Sequence, residues 1–179
     1  MSAPQVETIE TPELSKADLA VLRRLMDVAF GPRFTENDWN HTVGGTHFLV
    51  RGHDGTIVSH ASVVDRRLEV AGEGVHTGYV EGVATHPGHQ RRGLAAAVMT
   101  AVGAFITHGY AIGALSTNLT YYRRFGWVPW LGSTWCRGRE GLLRTPEDDG
   151  GVWVLPTPGG PDLDPEGDIV AEWRAGDVW

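Results

Sequence analysis

The first regular pattern of apolar positions in the chain has the period of a helix. Ser15-Lys16-Ala17-Asp18 has the form of a capping box, and Gly31-Pro32 is typical of a helix end. Between them, apolar side chains recur every three or four positions, at Leu19, Leu22, Leu25, Met26 and Ala29. This spacing predicts a helix over about 15–30 with one buried face. A short polar stretch from Phe34 to His41 has room for one helical turn.

The chain then changes to the pattern of β-strands. Segments 46–51, 56–68 and 75–85 are rich in β-branched and aromatic residues. The first connection contains Asp54-Gly55, a typical hairpin dipeptide, and the second contains Ala71-Gly72-Glu73-Gly74. Connections this short join antiparallel neighbours, so the pattern predicts an antiparallel meander of three strands over 46–85.

The rest of the chain adds helices and strands in alternation. The alanine- and valine-rich segment 94–108 predicts a long helix, and 119–125 a brief one. Strands are predicted over 112–115, 127–136, 151–155 and 168–173. We therefore predict an α/β fold, a single domain over 1–179 with a mixed, largely antiparallel sheet flanked by helices. The first 30 residues are expected to add only a helix.

Composition narrows the class of protein. The chain has 179 residues, 41% hydrophobic and 21% charged, which is the size and balance of one globular domain. No secretory leader or long apolar run is visible, so we expect a cytoplasmic protein without a membrane span. The single Cys136 allows no internal disulfide and is expected to pack in a strand. His86 and His89 lack further ligands at a recognisable spacing, so we expect no metal.

The net charge of −7 is concentrated near the end of the chain. Residues 1–144 hold 14 basic and 13 acidic residues, whereas 145–179 hold nine acidic residues against Arg174 alone. This distribution disfavours nucleic acid as a partner and favours a cation. A merely solubilising tail is the alternative. Trp153, Trp173 and Trp179 argue against that alternative, because solvating tails are poor in aromatic residues.

The segment His86–Ala97, "HPGHQRRGLAAA", joins a predicted strand to a predicted helix. The first-turn N–H groups of such a helix lack backbone partners and attract anions. Gly93 allows close approach of a ligand, and Arg91 and Arg92 add positive charge. The segment therefore predicts a phosphate site, with a solvated basic turn as the alternative.

Two motifs resemble the GNAT superfamily of N-acetyltransferases. Gln90-Arg91-Arg92-Gly93-Leu94-Ala95 is similar to its Gln/Arg-x-x-Gly-x-Gly/Ala signature, and Tyr122–Trp127 is similar to its Tyr-x-x-x-Gly-Phe/Trp segment. Further stretches resemble the aminoglycoside 2'-N-acetyltransferases in particular: "FTENDWNHTVGGTH", "GYVEGVA", "GWVPW", "RTPEDDGGVWVLP" and the final "EWRAGDVW". The resemblance runs from about residue 30 to the last residue.

The resemblance implies acetyl-CoA as cofactor and direct attack of an amine on its thioester. Pantetheine is expected along Val83–Thr85, and pyrophosphate on Gln90 and the N–H groups of Arg91, Arg92, Gly93, Leu94 and Ala95. Glu81 is expected to act as the base, through water, or only to pair with the substrate's charge. Tyr122 is expected to protonate the leaving sulfur, with core packing beside Trp127 as the alternative.

The resemblance also implies a site for a polyamine sugar. The expected acidic contacts are Asp38, Glu81, Asp148, Asp177 and the carboxylate of Trp179, with hydroxyl contacts from Ser116 and Thr117. Glu147 and Asp149 are expected to be solvated neighbours of Asp148. Arg66-Arg67 and Arg123-Arg124 are expected to border the CoA side or solvent.

Arg33 departs from the family pattern, because related chains often carry a carboxylate near this position. An arginine here would repel a polycation, but it would pair with a substrate that bears a carboxyl group. Kasugamycin, an aminoglycoside with a carboxyl-bearing group and a 2'-amine, is therefore a specific candidate beside gentamicin and tobramycin. A solvated Arg33 is the simpler alternative.

The predicted reaction is thus acetylation of the 2'-amine of an aminoglycoside, which would confer resistance. An acetyltransferase for another small amine or a protein N-terminus is the alternative within enzymes. A non-catalytic acetyl-CoA-binding regulator is the alternative outside them. A homodimer is compatible with this fold, and neither nucleic acid nor membrane is expected as a partner.

Overall fold

The computed structural model describes residues 4–179. Its helices are α1 (Lys16–Phe30), α2 (Glu36–Thr42) and α3 (Leu94–Gly109). Its strands are β1 (Glu7–Glu10), β2 (Thr46–Arg51), β3 (Ile57–Val70), β4 (Glu73–Thr85), β5 (Ile112–Ser116), β6 (Val128–Pro129), β7 (Thr134–Gly138), β8 (Gly141–Arg144), β9 (Val152–Pro156) and β10 (Ile169–Glu172). Short 3-10 turns connect several of them.

Helix α1 begins and ends where the sequence predicts. The Ser15 hydroxyl accepts the N–H of Asp18 at 3.0 Å and donates to its carboxylate at 2.7 Å, which satisfies a first-turn N–H group. Gly31, with φ +64°, ends the helix in a conformation that favours glycine. The apolar face packs into a core cluster that includes Leu22, Met26, Leu49, Ile57 and Ala84.

By their internal contacts, residues 4–64 together with 80–104 form one compact unit. In this unit β1 pairs antiparallel with β2, and β2 pairs antiparallel with the first part of β3. The expectation that the first 30 residues add only a helix is therefore wrong. Strand β1 has only four residues, which is too short for its alternating burial to be recognised in the sequence without its partner strand.

Residues 65–79 and 105–179 form the second compact unit. Here β5 pairs parallel with β4 and antiparallel with β9, which also pairs with β6. Strand β7 pairs parallel with β10 and antiparallel with β8, and β10 pairs antiparallel with the end of β3. The prediction of a mixed, largely antiparallel sheet is confirmed.

Two predicted boundaries are wrong. The single strand expected over 127–136 is two strands, β6 and β7. The chain leaves the sheet between them, at 130–133, where the N–H groups of Leu131 and Gly132 both donate to the Pro165 carbonyl. Strand β8 was not predicted. The polar stretch after Phe34 is longer than one turn, because the Thr35 hydroxyl and the Asp38 carboxylate form a capping box that starts α2.

Candidate active site

The connection from β4 to α3 forms a backbone concavity. Arg91 has φ +62° and Gly93 has φ +79°, so two left-handed residues flank Arg92. Such alternation turns successive N–H groups toward one point, a geometry that binds anions. A Cβ on Gly93 would meet nothing within 4 Å, so its conformation, not lack of space, favours glycine. The first-turn N–H groups of α3 follow directly and extend the anion site.

Two side chains of this connection bond to its own backbone. Gln90 Nε2 donates to the Thr85 carbonyl at 3.4 Å, and Arg92 Nη2 donates to the Gly88 carbonyl at 3.1 Å. Arg91 is exposed. The concavity therefore offers N–H groups with two exposed guanidinium groups beside them, one of which bonds to the Gly88 carbonyl, and these residues fit the diphosphate of a coenzyme.

Strand β4 is distorted at the position that follows Glu81. Gly82 has φ +55°, and a Cβ there would lie 2.7 Å from Thr42 Cγ2, so only glycine fits. Glu81, Val83 and Thr85 are half-buried. Pairing of β4 with β5 is described only for Thr77, Gly78 and Tyr79. Val83–Thr85 lie beyond that register, as a strand segment suited to pair with an extended ligand.

The first unit also brings Asp38 close to this distortion. Thr42, which packs on Gly82, donates its hydroxyl to the Asp38 carbonyl at 2.8 Å. The Asp38 carboxylate caps α2, with Oδ2 accepting the Thr35 N–H at 2.7 Å and the Thr35 hydroxyl at 2.9 Å. Arg33 is exposed in the turn before α2.

Two neighbouring acids of the second unit have opposite environments. Burial, together with the smaller effect of the charges of Asp177 and Glu147, raises the pKa of Asp148 to about 6. Arg144 and Thr134 hold the pKa of Asp149 far below its usual range, through an ion pair and hydrogen bonds. The expectation that Asp149 is a solvated neighbour is therefore wrong, because it fixes the β7 backbone.

The other predicted contacts of this unit adjoin Asp148. The N–H of Thr117 donates to the Gly151 carbonyl at 2.7 Å, and the N–H of Gly151 donates to the Asp148 carbonyl at 2.9 Å. Ser116 is exposed at the end of β5. Trp179 is buried and donates its Nε1–H to the Thr145 hydroxyl at 3.1 Å. The late acidic segment is therefore packed, although Trp173 is 62% exposed and does not contribute.

Tyr122 lies in the 3-10 turn Thr120–Phe125 and is 7% exposed. Burial raises its pKa to about 12, with a smaller contribution from Tyr121. The phenol therefore keeps its proton over the whole physiological range.

Two arginines that the sequence did not assign hold the end of the chain. Arg66 donates to the carbonyls of Val178 at 2.9 Å and Glu172 at 3.1 Å, and Arg174 donates to the Asp177 carbonyl at 2.8 Å. Both guanidinium groups lie over the Tyr79 ring, at 4.5 and 5.4 Å from its centroid. The expectation that Arg66 borders CoA or solvent is wrong. Two adjacent arginines in a sequence do not indicate which distant carbonyl groups they will bind.

Other chemistry finds no support in the described part of the chain. Residues 4–179 contain no group of three or more His, Cys, Asp or Glu placed to hold a metal ion. Cys136 is buried in β7, and burial raises the pKa of its thiol. Among the helices described, none is long and apolar enough to cross a membrane.

Comparison with known proteins agrees with this geometry. Residues 10–129 match the family described as acetyltransferase (GNAT) domain. The aminoglycoside 2'-N-acetyltransferase of Mycolicibacterium fortuitum is 40% identical over 176 residues, which cover 96% of this chain and 90% of that protein.

Solved structures show the same fold. A GNAT family acetyltransferase from Brucella melitensis in complex with acetyl-CoA has a TM-score of 0.62 at 17% identity, over 97% of this chain and 98% of that one. A GNAT family N-acetyltransferase from Escherichia coli in complex with CoA has a TM-score of 0.65 at 14% identity, over 96% and 92%. The chain spans about a third of some longer matches, such as 35% of a GCN5-related N-acetyltransferase from Kribbella flavida.

These matches confirm the predicted fold class, the N-acetyltransferase class and acetyl-CoA as the acetyl donor. The motif Gln90–Ala95 runs from the connection after β4 into the first two residues of α3, at the concavity that fits a coenzyme diphosphate. The chain belongs to the GNAT superfamily of acetyltransferases and, within it, to the family of the aminoglycoside 2'-N-acetyltransferases.

Proposed function

We propose that this protein transfers an acetyl group from acetyl-CoA to the 2'-amine of an aminoglycoside and so inactivates the antibiotic. The observation that carries the acceptor class is the pair Asp148 and Asp177. Burial raises the free energy of the Asp148 charge, and the nearby charge of Asp177 adds to that effect. A polycationic amine relieves this repulsion, whereas an acceptor without positive charge gains nothing from it.

The acetyl-CoA side is assigned to the first unit. The N–H groups from Arg91 to Ala95 would hold the pyrophosphate, supported by the exposed Arg91 side chain and the N-terminus of α3. Val83–Thr85 would pair with pantetheine through backbone hydrogen bonds. Gln90 acts indirectly, because its amide already bonds to the Thr85 carbonyl.

Glu81 is the proposed base for the substrate ammonium, acting through water. The acid–base step needs a carboxylate placed at the amine, and Glu81 is half-buried on the strand that leads to the pantetheine segment. Charge pairing without base function is the alternative role for Glu81, and the pH profile of kcat distinguishes the two. If Glu81 is the base, the substitution Glu81→Gln removes the acidic limb of the pH profile of kcat. If Glu81 only pairs with the charge of the substrate, the same substitution raises KM.

Tyr122 is the proposed donor to the leaving sulfur. Full proton transfer from a phenol with a pKa of about 12 to a thiolate with a pKa of ~8.5 is uphill by about 3.5 units. The phenol therefore acts as a hydrogen-bond donor that stabilises charge on sulfur as it develops. Packing in the core is the alternative, and it predicts a loss of stability without a loss of kcat.

The test is release of free thiol from acetyl-CoA with gentamicin, tobramycin, neomycin and kasugamycin, followed by identification of the acetylated amine. We expect acetylation at the 2'-amine of at least one of them. Absence of thiol release with the whole panel contradicts the proposal and favours another amine acceptor or a regulator. A regulator would still bind acetyl-CoA in calorimetry.

Kasugamycin is a specific proposal that depends on Arg33. This exposed guanidinium would pair with the carboxyl-bearing group of that drug. Arg33→Asp is expected to raise KM for kasugamycin and to lower it for gentamicin, with Arg24→Asp on α1 as the control. An unchanged preference in Arg33→Asp contradicts this part of the proposal and leaves the acceptor class untouched.

A further inference from the structure

Three carbonyl groups of β4 accept hydrogen bonds from side chains of β3. His60 bonds through Nδ1 to the Gly82 carbonyl at 2.7 Å. Ser62 donates to the Glu81 carbonyl and Ser59 to the Ala84 carbonyl, both at 3.3 Å. These three donors are fully buried. The segment that contains the proposed base is thus fixed by side chains as well as by the backbone.

The distortion at Gly82 explains why side chains are needed here. A residue with φ +55° interrupts the regular alternation of a strand, and the carbonyl of this residue accepts its hydrogen bond from the His60 side chain. A buried carbonyl without a partner is costly, and the His60 imidazole satisfies it. Thr42 also packs against Gly82, because a Cβ at this position would lie 2.7 Å from Thr42 Cγ2, and it thereby excludes any larger residue here.

His60 is itself oriented by His47. Because a carbonyl only accepts, His60 Nδ1 carries the hydrogen and its Nε2 accepts from His47 Nδ1–H at 2.9 Å. The Thr11 hydroxyl lies 2.8 Å from His47 Nε2 and 2.9 Å from the Gly45 carbonyl, and with the His47 hydrogen on Nδ1 these two acceptors share its single hydrogen. Burial lowers the pKa of both rings, to about 4 for His47 and about 3 for His60, so both are neutral. Glu10 is the charged group that faces His47.

We propose that His60, oriented by His47, is a positioning residue for acetyl transfer. Its hydrogen bond to the Gly82 carbonyl holds the β4 backbone next to Glu81 and so fixes the position of the Glu81 carboxylate. The inference rests on the proposed role of Glu81. The histidine does not touch either substrate. It acts through the Gly82–Val83 peptide, whose carbonyl it holds, and a rotation of that peptide would be passed through Gly82 to the adjoining Glu81 and move its carboxylate relative to the amine.

The size of the effect follows from the sensitivity of acid–base steps to geometry. A displacement of about 1 Å of a catalytic group lowers the rate about 100-fold. His60→Leu removes the donor and keeps an apolar side chain, so kcat is expected to fall by about 10- to 100-fold. His60→Asn places an amide N–H near the position of Nδ1, and it is expected to recover most of kcat.

The control is Thr77→Val, a substitution on β4, the strand that also carries Glu81 and Gly82. Thr77 is fully buried, and its hydroxyl donates to the nearby Val75 carbonyl at 2.9 Å. We expect Thr77→Val to lower the Tm without changing kcat. A purely structural role for His60 predicts that His60→Leu behaves in the same way, with kcat unchanged wherever the protein is folded.

Two readouts do not depend on the acceptor. Long-range ¹H–¹⁵N spectra are expected to show both rings with the hydrogen on Nδ1. Hydrogen exchange of a peptide that covers Val80–Thr85 is expected to accelerate at least tenfold in His60→Leu and much less in His60→Asn.

A hydrogen on Nε2 of His60, or unchanged exchange in His60→Leu, overturns the inference. Wild-type kcat in a folded His60→Leu variant does so too. If the wild-type protein acetylates no aminoglycoside, the proposed function fails, and the spectra and exchange rates still decide whether His60 positions this segment.

Discussion

The neighbouring residues Asp148 and Asp149 lead to opposite predictions for the same substitution. Asp148→Asn removes a charge that is half-buried and repelled by Asp177, whereas Asp149→Asn removes one that is paired with Arg144. We expect Asp148→Asn to stabilise the protein above pH 7 and Asp149→Asn to destabilise it. Because the two positions are adjacent, each variant serves as the control for the other.

The magnitude follows from the pKa of Asp148. In the folded protein the pKa is raised from 3.8 to about 6, so the contribution of Asp148 to the free energy of unfolding falls as pH rises from about 4 to above 6. A shift of about 2 units corresponds to about 3 kcal/mol, which partial solvent exposure reduces to about 1–2 kcal/mol. For a chain of this length the Tm of Asp148→Asn should rise by about 2–8 °C at pH 7.5.

The assay is thermal unfolding of both variants at pH 7.5 and pH 4, with kinetics at pH 7.5. The gain in Asp148→Asn should shrink toward zero at pH 4, because the wild-type carboxyl is then neutral. At pH 7.5 the same variant should raise KM for the aminoglycoside and leave KM for acetyl-CoA unchanged. A lower Tm at pH 7.5, or an equal gain at both pH values, would refute the argument.

Three further predictions concern other parts of the molecule. Tyr122→Phe should lower kcat about 100-fold or more with KM nearly unchanged, whereas Tyr121→Phe should leave kcat unchanged. Equal kcat values of Tyr122→Phe and the wild-type protein in steady-state assays contradict the donor role. The wild-type Tm should fall as pH decreases from about 6.5 toward 4, because the buried pair His47 and His60 has lowered pKa values and is neutral in the fold; His60→Asn should flatten this dependence. Arg66→Met should raise KM for the aminoglycoside but not for acetyl-CoA, since it releases the Val178 carbonyl; Arg67→Met is the exposed control, and equal effects would exclude positioning by Arg66.

Features with a local cause could be predicted from the sequence. The Ser15 cap, the Gly31 end and the turn at Asp54-Gly55 depend on neighbours within four residues, and all three are present. The Gln90–Ala95 motif is also local, because a helix N-terminus and two left-handed residues form the concavity that we propose for the diphosphate. Local signals therefore gave the long helices, the meander and the coenzyme motif.

Features with distant partners could not be predicted in the same way. Strand β1 exists because β2 pairs with it, and Arg66 acquires its role from carbonyls 106 and 112 residues away. In the sequence His60 is recognisable only as a residue of a strand, although its ring bonds to the carbonyl of Gly82, which lies 22 residues further along the chain. A residue's partners across the fold decide its role, and a single sequence does not reveal them.

The acidic end of the chain shows how this limit affects function. A count of charges treats Asp148 and Asp149 as equivalent, yet only the first has a charge that the fold leaves uncompensated by a cation among its named neighbours. Free energy for binding a cationic substrate comes from such a carboxylate, since one that is already paired must first give up its partner. The relevant quantity for recognition is therefore the unneutralised charge at particular side chains, and the net charge of −8 over residues 145–179 indicates only where to look.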